Sequence, residues 1–247
     1  APRYLEYLER SLPLAGTCRL DSDTAMAPGT LIAAKRAAGA VVRAVDLVCN
    51  HQAPNAFCAI RPPGPHAESA KARGFCYYNN LAVGVRHAQF RHGLERIAII
   101  DFDVHHGNGT EEIFRDDPHV LMCSIFQHPF FPYCGDAPLG ENMVNVPMKA
   151  GSSGADFRKV VQEEWWPRLT AFDPQMIFIS AGFDAHREDD MGSMGLVEAD
   201  YEWVTRELMR FAAEHCEGRI VSVLEGGYEL SPLGRSVAAH IRALSDG

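Results

Sequence analysis

No run of apolar residues in the chain is long enough to span a bilayer, and the opening segment APRYLEYLER mixes polar and apolar residues where a leader would be uniformly apolar. The reading is therefore a chain with no membrane association and a cytoplasmic default. Cysteine pairing is also missing. The seven cysteines, at 18, 49, 58, 76, 123, 134 and 216, are odd in number, scattered and never spaced Cys-x-x-Cys. Neither a disulfide framework nor a thiolate zinc site is signalled, and reduced thiols are expected. Positive charge is scarce, with 23 Lys and Arg against 32 Asp and Glu for a formal charge of -9. Non-specific nucleic-acid binding needs clustered basic residues, so no nucleic-acid partner is expected; a cationic ligand such as a lysine-rich tail or a polyamine is compatible. Internal repeats and low-complexity stretches are absent.

What remains is an ordinary globular composition, 47% hydrophobic and 22% charged over 247 residues, enough for one large core in one domain covering 1–247. Short apolar runs recur: AFCAI (56–60), RIAIIDFD (96–103), HVLMCSI (119–125), QMIFIS (175–180) and RIVSVL (219–224). Between them lie helix-like stretches over 29–48, 79–93, 153–172 and 198–215, and a last one over 231–244 closes the chain. Apolar strands alternating with amphipathic helices predict an α/β protein, a parallel sheet flanked by helices on both faces.

Ligands bind such sheets beyond the carboxyl ends of the strands, and there the polar residues concentrate. Asp101, Asp103 and His105 stand at every second position of IIDFDVHH, so on extended chain they project to one side. Asp184, after IFISAGF, adds a carboxylate at the same edge. Asp103, His105 and Asp184 form a candidate three-ligand metal site with positions open to water and substrate. Zinc is the first choice, though one imidazole and two carboxylates also accept ferrous iron, manganese or cobalt. His66, in a Gly- and Pro-rich loop, is a candidate general base or acid. Tyr228, after Gly226 and Gly227, can bring a phenol to a substrate oxygen. Alone, a loop histidine is more often a surface residue and a tyrosine after Gly-Gly more often a turn residue packing on the core; their shared edge of the sheet raises both.

RPPGPHAE, GFCYYNN, DFDVHHGNGT, SAGFDAH and LEGGYEL, in that order, resemble the consecutive signatures of the histone deacetylase and acetylpolyamine amidohydrolase family, nearest its class II and bacterial members. HVLMCSIFQHPFFPYCGD and ENMVNVPM extend the resemblance from about Leu20 to the C-terminus. The resemblance implies an arginase/deacetylase-like fold and hydrolysis of an acyl amide, with an acetylated lysine peptide, an acetylated polyamine or a small amide as partner. It makes Asp103, His105 and Asp184 the ligands of one Zn2+, and His66 the imidazole that deprotonates water and reprotonates the leaving amine. Asn108 orients that imidazole, and Tyr228 stabilises the oxyanion. Phe75 and Phe131 match the paired rings of a narrow substrate tube, with Met191 adding to its wall, Gly74 and Gly227 beside them, and Asp23 at the rim. A structural K+ is implied at main-chain oxygens near Asp101, Asp103, His105, Ser124 and Ile125.

Two departures stand out. Where the family pattern reads Pro-Pro-Gly-His-His, this chain has Pro62-Pro63-Gly64-Pro65-His66. Proline holds no proton and donates no hydrogen bond, so Asp101 loses its imidazole partner, and the restricted loop can misplace His66. Reduced turnover is expected, or a catalytically impaired acyl-lysine-binding module. The strand that family members place before APRYLEYLERSL is also missing, which predicts a fragment with an open sheet edge and possible homo-oligomers. A two-metal ureohydrolase is disfavoured, because His186 stands where a second aspartate is needed.

Overall fold

The computed structural model describes residues 2–246. The five strands read from the sequence, joined by one more, form a six-stranded sheet in the order β3-β8-β7-β4-β5-β6, every neighbouring pair parallel. Its members are β3 (Asn55–Cys58), β4 (Ile97–Asp101), β5 (Val120–Gln127), β6 (Met143–Met148), β7 (Met176–Ala181) and β8 (Ile220–Leu224). A two-residue ribbon, β1 (Cys18–Arg19) with β2 (Ala25–Met26), stands apart.

Strand alternation divides the core in two. Ala98 and Ile100 of β4, with Ile177 and Ile179 of β7, pack with α5 (Gly154–Val160), α6 (Trp166–Phe172), α7 (Glu198–His215) and α8 (Leu230–Ser245). Ile97, Ile99, Met176 and Phe178 face the other way, onto α2 (Thr30–Cys49), α3 (Asn80–His92) and the short α4 (Asn108–Phe114). Burial on both faces is why these strands read as unbroken apolar runs. Each large side chain such as Trp165 or Phe178, fully buried, contributes roughly 1.5–3 kcal/mol. No described helix is long and apolar enough to cross a membrane.

Besides the β1–β2 ribbon, the structure adds three elements to those read from the sequence. Strand β6 contains Pro147, which a central strand rejects, but it pairs only with β5 at the sheet's edge. Helix α1 (Pro2–Arg10) buries only Tyr4 and Leu8, one turn apart, too narrow a stripe to stand out in ten mixed residues. Its Tyr4 hydroxyl donates to the carbonyl of Tyr77 at 2.7 Å, bracing the loop that follows β3. The third is α4, which begins inside GNGTEEIF. The expected single helix over 153–172 holds, with a π-helical turn at Val161–Trp165 between α5 and α6.

Candidate active site

Loops from the carboxyl ends of β3, β4, β5, β7 and β8 converge at one edge of the sheet. Beyond Asp101 the chain leaves the ladder, yet the alternation persists. Phe102 and Val104 enter the core while Asp103 and His105 face the site. Backbone amides hold the extended turn: Asp103 N–H donates to Asp101 Oδ1 (3.1 Å), and His105 N–H to Asp103 Oδ1 (2.8 Å). Asp184 Oδ1 accepts from Val104 N–H at 2.9 Å, and Asp103 Oδ2 from Gly226 N–H at 2.8 Å. Gly226 must be glycine: a Cβ there would lie 2.0 Å from Asp184 Oδ2 and 2.5 Å from Asp103 Oδ2.

His105 Nδ1 lies 3.2 Å from Asp103 Oδ1 and 3.1 Å from Asp184 Oδ2, and one donor atom from each residue falls within 4.8 Å of the others. All three are buried. Burial pushes the Asp184 carboxyl up to about 6, with the charge of Asp103 adding to it. Burial pulls His105 down, but its hydrogen bonds to Asp103 and Asp184 prevail and lift it to about 10. Two carboxylates and an imidazole packed this closely demand a positive charge among them. A divalent cation meets that demand with open coordination positions to spare, so the residues fit a catalytic metal.

His66 is buried, and its Nδ1 lies 3.0 Å from Asn108 Oδ1. Asn108 donates through Nδ2 to Glu68 Oε1 at 2.9 Å, and Arg73 Nη1 stands 3.5 Å from the same Glu68 oxygen. With the amide so turned, Asn108 presents its oxygen to His66. The proton therefore sits on Nδ1, and Nε2 is left free to accept one. Burial also depresses His66 to about 4, which keeps it neutral near pH 7. Gly74, in a left-handed conformation (φ 57°), clears the ring, since a Cβ there would lie 2.4 Å from His66 Cδ2.

Pro65 leaves the loop docked, its carbonyl accepting from Gly109 N–H (3.0 Å) and Thr110 N–H (3.1 Å). Its effect falls on Asp101. Asp101 Oδ2 is buried with no hydrogen bond within 3.5 Å among the described residues, and the Ser180 hydroxyl, likewise without a close partner, offers the carboxyl only a weak interaction. Burial, and then the charge of Asp103, push that carboxyl well above the usual carboxylate range. A Cβ on Gly107 would sit 2.6 Å from Asp101 Oδ2 and 3.7 Å from Pro65 Cβ, so Gly107 lies against both.

Tyr228 is set by its loop. Asp189 Oδ2 accepts from the N–H groups of Tyr228 (2.8 Å) and Glu229 (3.1 Å), and Arg61 donates to the carbonyls of Glu225 and Gly227. Its ring centre lies 6.4 Å from His105 and 6.1 Å from Phe75. Burial, then the charges of Asp184 and Asp103, raise the phenol above its ordinary value, so it remains an O–H donor.

His66, His105 and Tyr228 open into one cavity of about 330 Å³, walled by Phe75, Phe131 and Met191. The ring of Phe131 stands edge-on to His66 at 5.2 Å. Asp23 lies at this cavity, but its Oδ1 is committed to Gly74 N–H (2.9 Å) and Thr24 Oγ1 (2.6 Å), which shape the Gly74–Phe75 turn. Gly227, with φ 128°, precedes Tyr228 in its loop. Ser124 pairs in register with Asp101, and both it and Ile125 are buried beneath the site.

Sequence reading missed Phe130, which stacks on His105 at 5.3 Å, and Tyr133 and Asp190, which also line the cavity. The doubled Phe of HPFFPY was a signal for the first; nothing marked Asp190. Arg61, Glu68 and Asp189, which fix the reactive side chains, were not singled out either.

The model of the histone deacetylase domain matches residues 1–244. A "probable deacetylase" of Archaeoglobus fulgidus is 40% identical over 92% of this chain and 64% of its own length. A "histone deacetylase-like amidohydrolase" of Pseudomonas aeruginosa is 38% identical over 90% of this chain and 61% of its own. The chain thus spans less than two thirds of either relative. The solved HDA15 HD domain superposes with a TM-score of 0.91 at 34% identity, covering 98% of this chain and 70% of that one. Fold, family model and relatives agree: the chain belongs to the histone deacetylase domain family.

Proposed function

We propose that the chain hydrolyses an acyl amide of the N-acetyl-lysine type, using one Zn2+ held by Asp103, His105 and Asp184. The observation that carries this reading is the joint opening of His66, His105 and Tyr228 into one apolar-walled cavity. The zinc would supply Lewis-acid polarisation of the carbonyl and of the attacking water. His66 Nε2 takes a proton from water as the water oxygen bonds to the acyl carbon, and Asn108 holds the ring through Nδ1. The Tyr228 O–H donates to the developing oxyanion. When the carbon–nitrogen bond breaks, His66 returns its proton to the amine, leaving a carboxylate and a free amine.

Phe75, Phe131 and Met191 suit the methylene stem of a lysine or polyamine and its neutral acyl end. Asp23 and Asp190 at the same cavity favour cationic substrates, acetylated polyamines and lysine-rich acetylated peptides alike, over neutral small amides; an acyl-lysine type amide is the preferred substrate. A structural K+ belongs at the main-chain oxygens of Asp101, Asp103, His105, Ser124 and Ile125, and the setting is the cytoplasm of a bacterium-like cell. The test is metal content measured beside an assay panel of acetyl-lysine peptide, trifluoroacetyl-lysine peptide and acetylated polyamine. Tyr228→Phe should lower kcat by roughly 10²–10³; undiminished kcat would refute the oxyanion role, and no turnover on any substrate would refute the enzyme reading.

A second reading, an acyl-lysine-binding module with impaired turnover, is favoured by Pro65 and the orphaned Asp101 oxygen, which both lie against Gly107. It requires an acetyl-lysine peptide to bind without being hydrolysed.

A further inference from the structure

At the opposite edge of the sheet two imidazoles and a carboxylate converge. Asp46 lies near the end of α2, in the otherwise apolar run AVDLV, and His87 and His92 lie in the last turns of α3. The Nε2 atoms of both imidazoles address the same oxygen, Asp46 Oδ1, at 2.7 Å and 2.8 Å. One donor atom from each of the three falls within 4.8 Å of the others. The side chains are half-buried, at 24%, 15% and 31% exposure for His87, His92 and Asp46, and no described Lys or Arg forms an ion pair with Asp46.

We propose that Asp46, His87 and His92 form a second divalent metal site that pins α2 to α3. Two imidazole nitrogens and one carboxylate oxygen select a borderline transition ion, Zn2+, Co2+, Ni2+ or Cu2+, over Mg2+ or Ca2+. In the structure, two N–H groups compete for one carboxylate oxygen. On metal binding each Nε2 gives up its proton, to the ring's own Nδ1 if the imidazole is neutral or to solvent if it is charged, and the ion takes both nitrogens and the oxygen as ligands, with room for water on the exposed side. His92 ends α3, where unpaired carbonyls favour a cation, and Gly93 caps that turn in the left-handed conformation. Hydrogen bonds from His87 and then His92 hold the Asp46 carboxyl below its usual range, in the anionic form a metal needs.

The position argues against catalysis. Helices α2 and α3 end just before β3 and β4 begin, so the cluster lies at the amino edge of the parallel sheet, while the candidate active site lies at the carboxyl edge. Its effect is on stability and on the seating of α2 and α3 against the sheet.

Metal-stripped protein titrated with Co2+, followed by visible absorption and by metal content after desalting, should take up one equivalent more than the His87→Ala/His92→Ala variant. Acetyl-lysine turnover, if present, should be unchanged in that variant. Equal uptake by the two proteins overturns the proposal. Should the double variant fail to fold, X-ray absorption of Co2+-loaded Asp184→Asn protein decides. Two imidazoles per metal support the site, and one imidazole or no bound metal overturns it.

Discussion

Replacing Pro65 by histidine tests the link between this one residue and the efficiency of the site. In the native chain Asp101 Oδ2 is buried without a hydrogen bond within 3.5 Å among the described residues, and Pro65 and Asp101 Oδ2 both lie against Gly107. A buried acceptor left without a partner costs about 1–3 kcal/mol, and removing a proline whose conformation suits the fold costs about 0.4–1 kcal/mol. An imidazole at 65 that donates to Asp101 should therefore raise stability by roughly 1–2 kcal/mol, a rise in Tm of about 2–8 °C for a domain this size. The same imidazole adds a second proton-accepting group beside the attacking water. With His66 as the proposed base, the gain should fall below the 10²–10⁴ of a sole general base, at about 10–100-fold in kcat/KM, or about 1.4–2.8 kcal/mol of barrier. The assay is kcat/KM on acetyl-lysine peptide at equal metal content, with Pro65→Ala as the control that removes the ring and adds no imidazole. A well-folded Pro65→His variant with no gain in either rate or Tm would refute the reasoning, and a Pro65→Ala variant as fast as Pro65→His would assign the effect to loop strain.

Two further outcomes are expected. Gly74→Ala places a methyl 2.4 Å from the His66 ring in a left-handed backbone; displacement of the base should lower kcat about 10²-fold, and native kcat in the variant would show that His66 tolerates the shift. His240 is buried between Thr205 Oγ1 (2.7 Å) and Ser222 Oγ (2.8 Å), and burial depresses it to about 3. The unfolded chain takes up that proton from about pH 6.5 downward while the folded chain refuses it until about pH 3. This contribution is thus complete above pH 6.5 and is lost as pH falls, by about 1.4 kcal/mol per pH unit and roughly 2 kcal/mol by pH 5. Urea midpoints across pH 7.5–5 should fall less steeply in His240→Gln, and an unchanged slope would remove His240 from the account.

Much of the site was legible because strand ends carry their own grammar. An apolar run that flows into Asp101, Asp103 and His105 at alternate positions places ligand-type side chains on one face whatever the rest of the chain does, and Asp184 and Tyr228 follow the same rule after β7 and β8. Histidine 66 was legible by its motif but not by its environment. Its tautomer depends on Asn108, Glu68 and Arg73, residues between two and forty-two positions away along the chain, which no local pattern joins. Strand β6 was hidden by Pro147, because only its edge position makes that proline tolerable.

From the sequence alone followed the α/β class, the parallel sheet and a candidate ligand set, since periodicity and residue chemistry are local properties of the chain; the departure at Pro65 showed only against the family pattern the motifs resemble. Only the tertiary structure decided which lone groups meet. It orphaned Asp101 Oδ2, turned Gly74 and Gly226 into close-approach positions, set Phe130 against His105, and brought His87 and His92 of one helix onto Asp46 of another. Such pairings arise from how helices and loops pack on the sheet, and packing is a property of the whole fold.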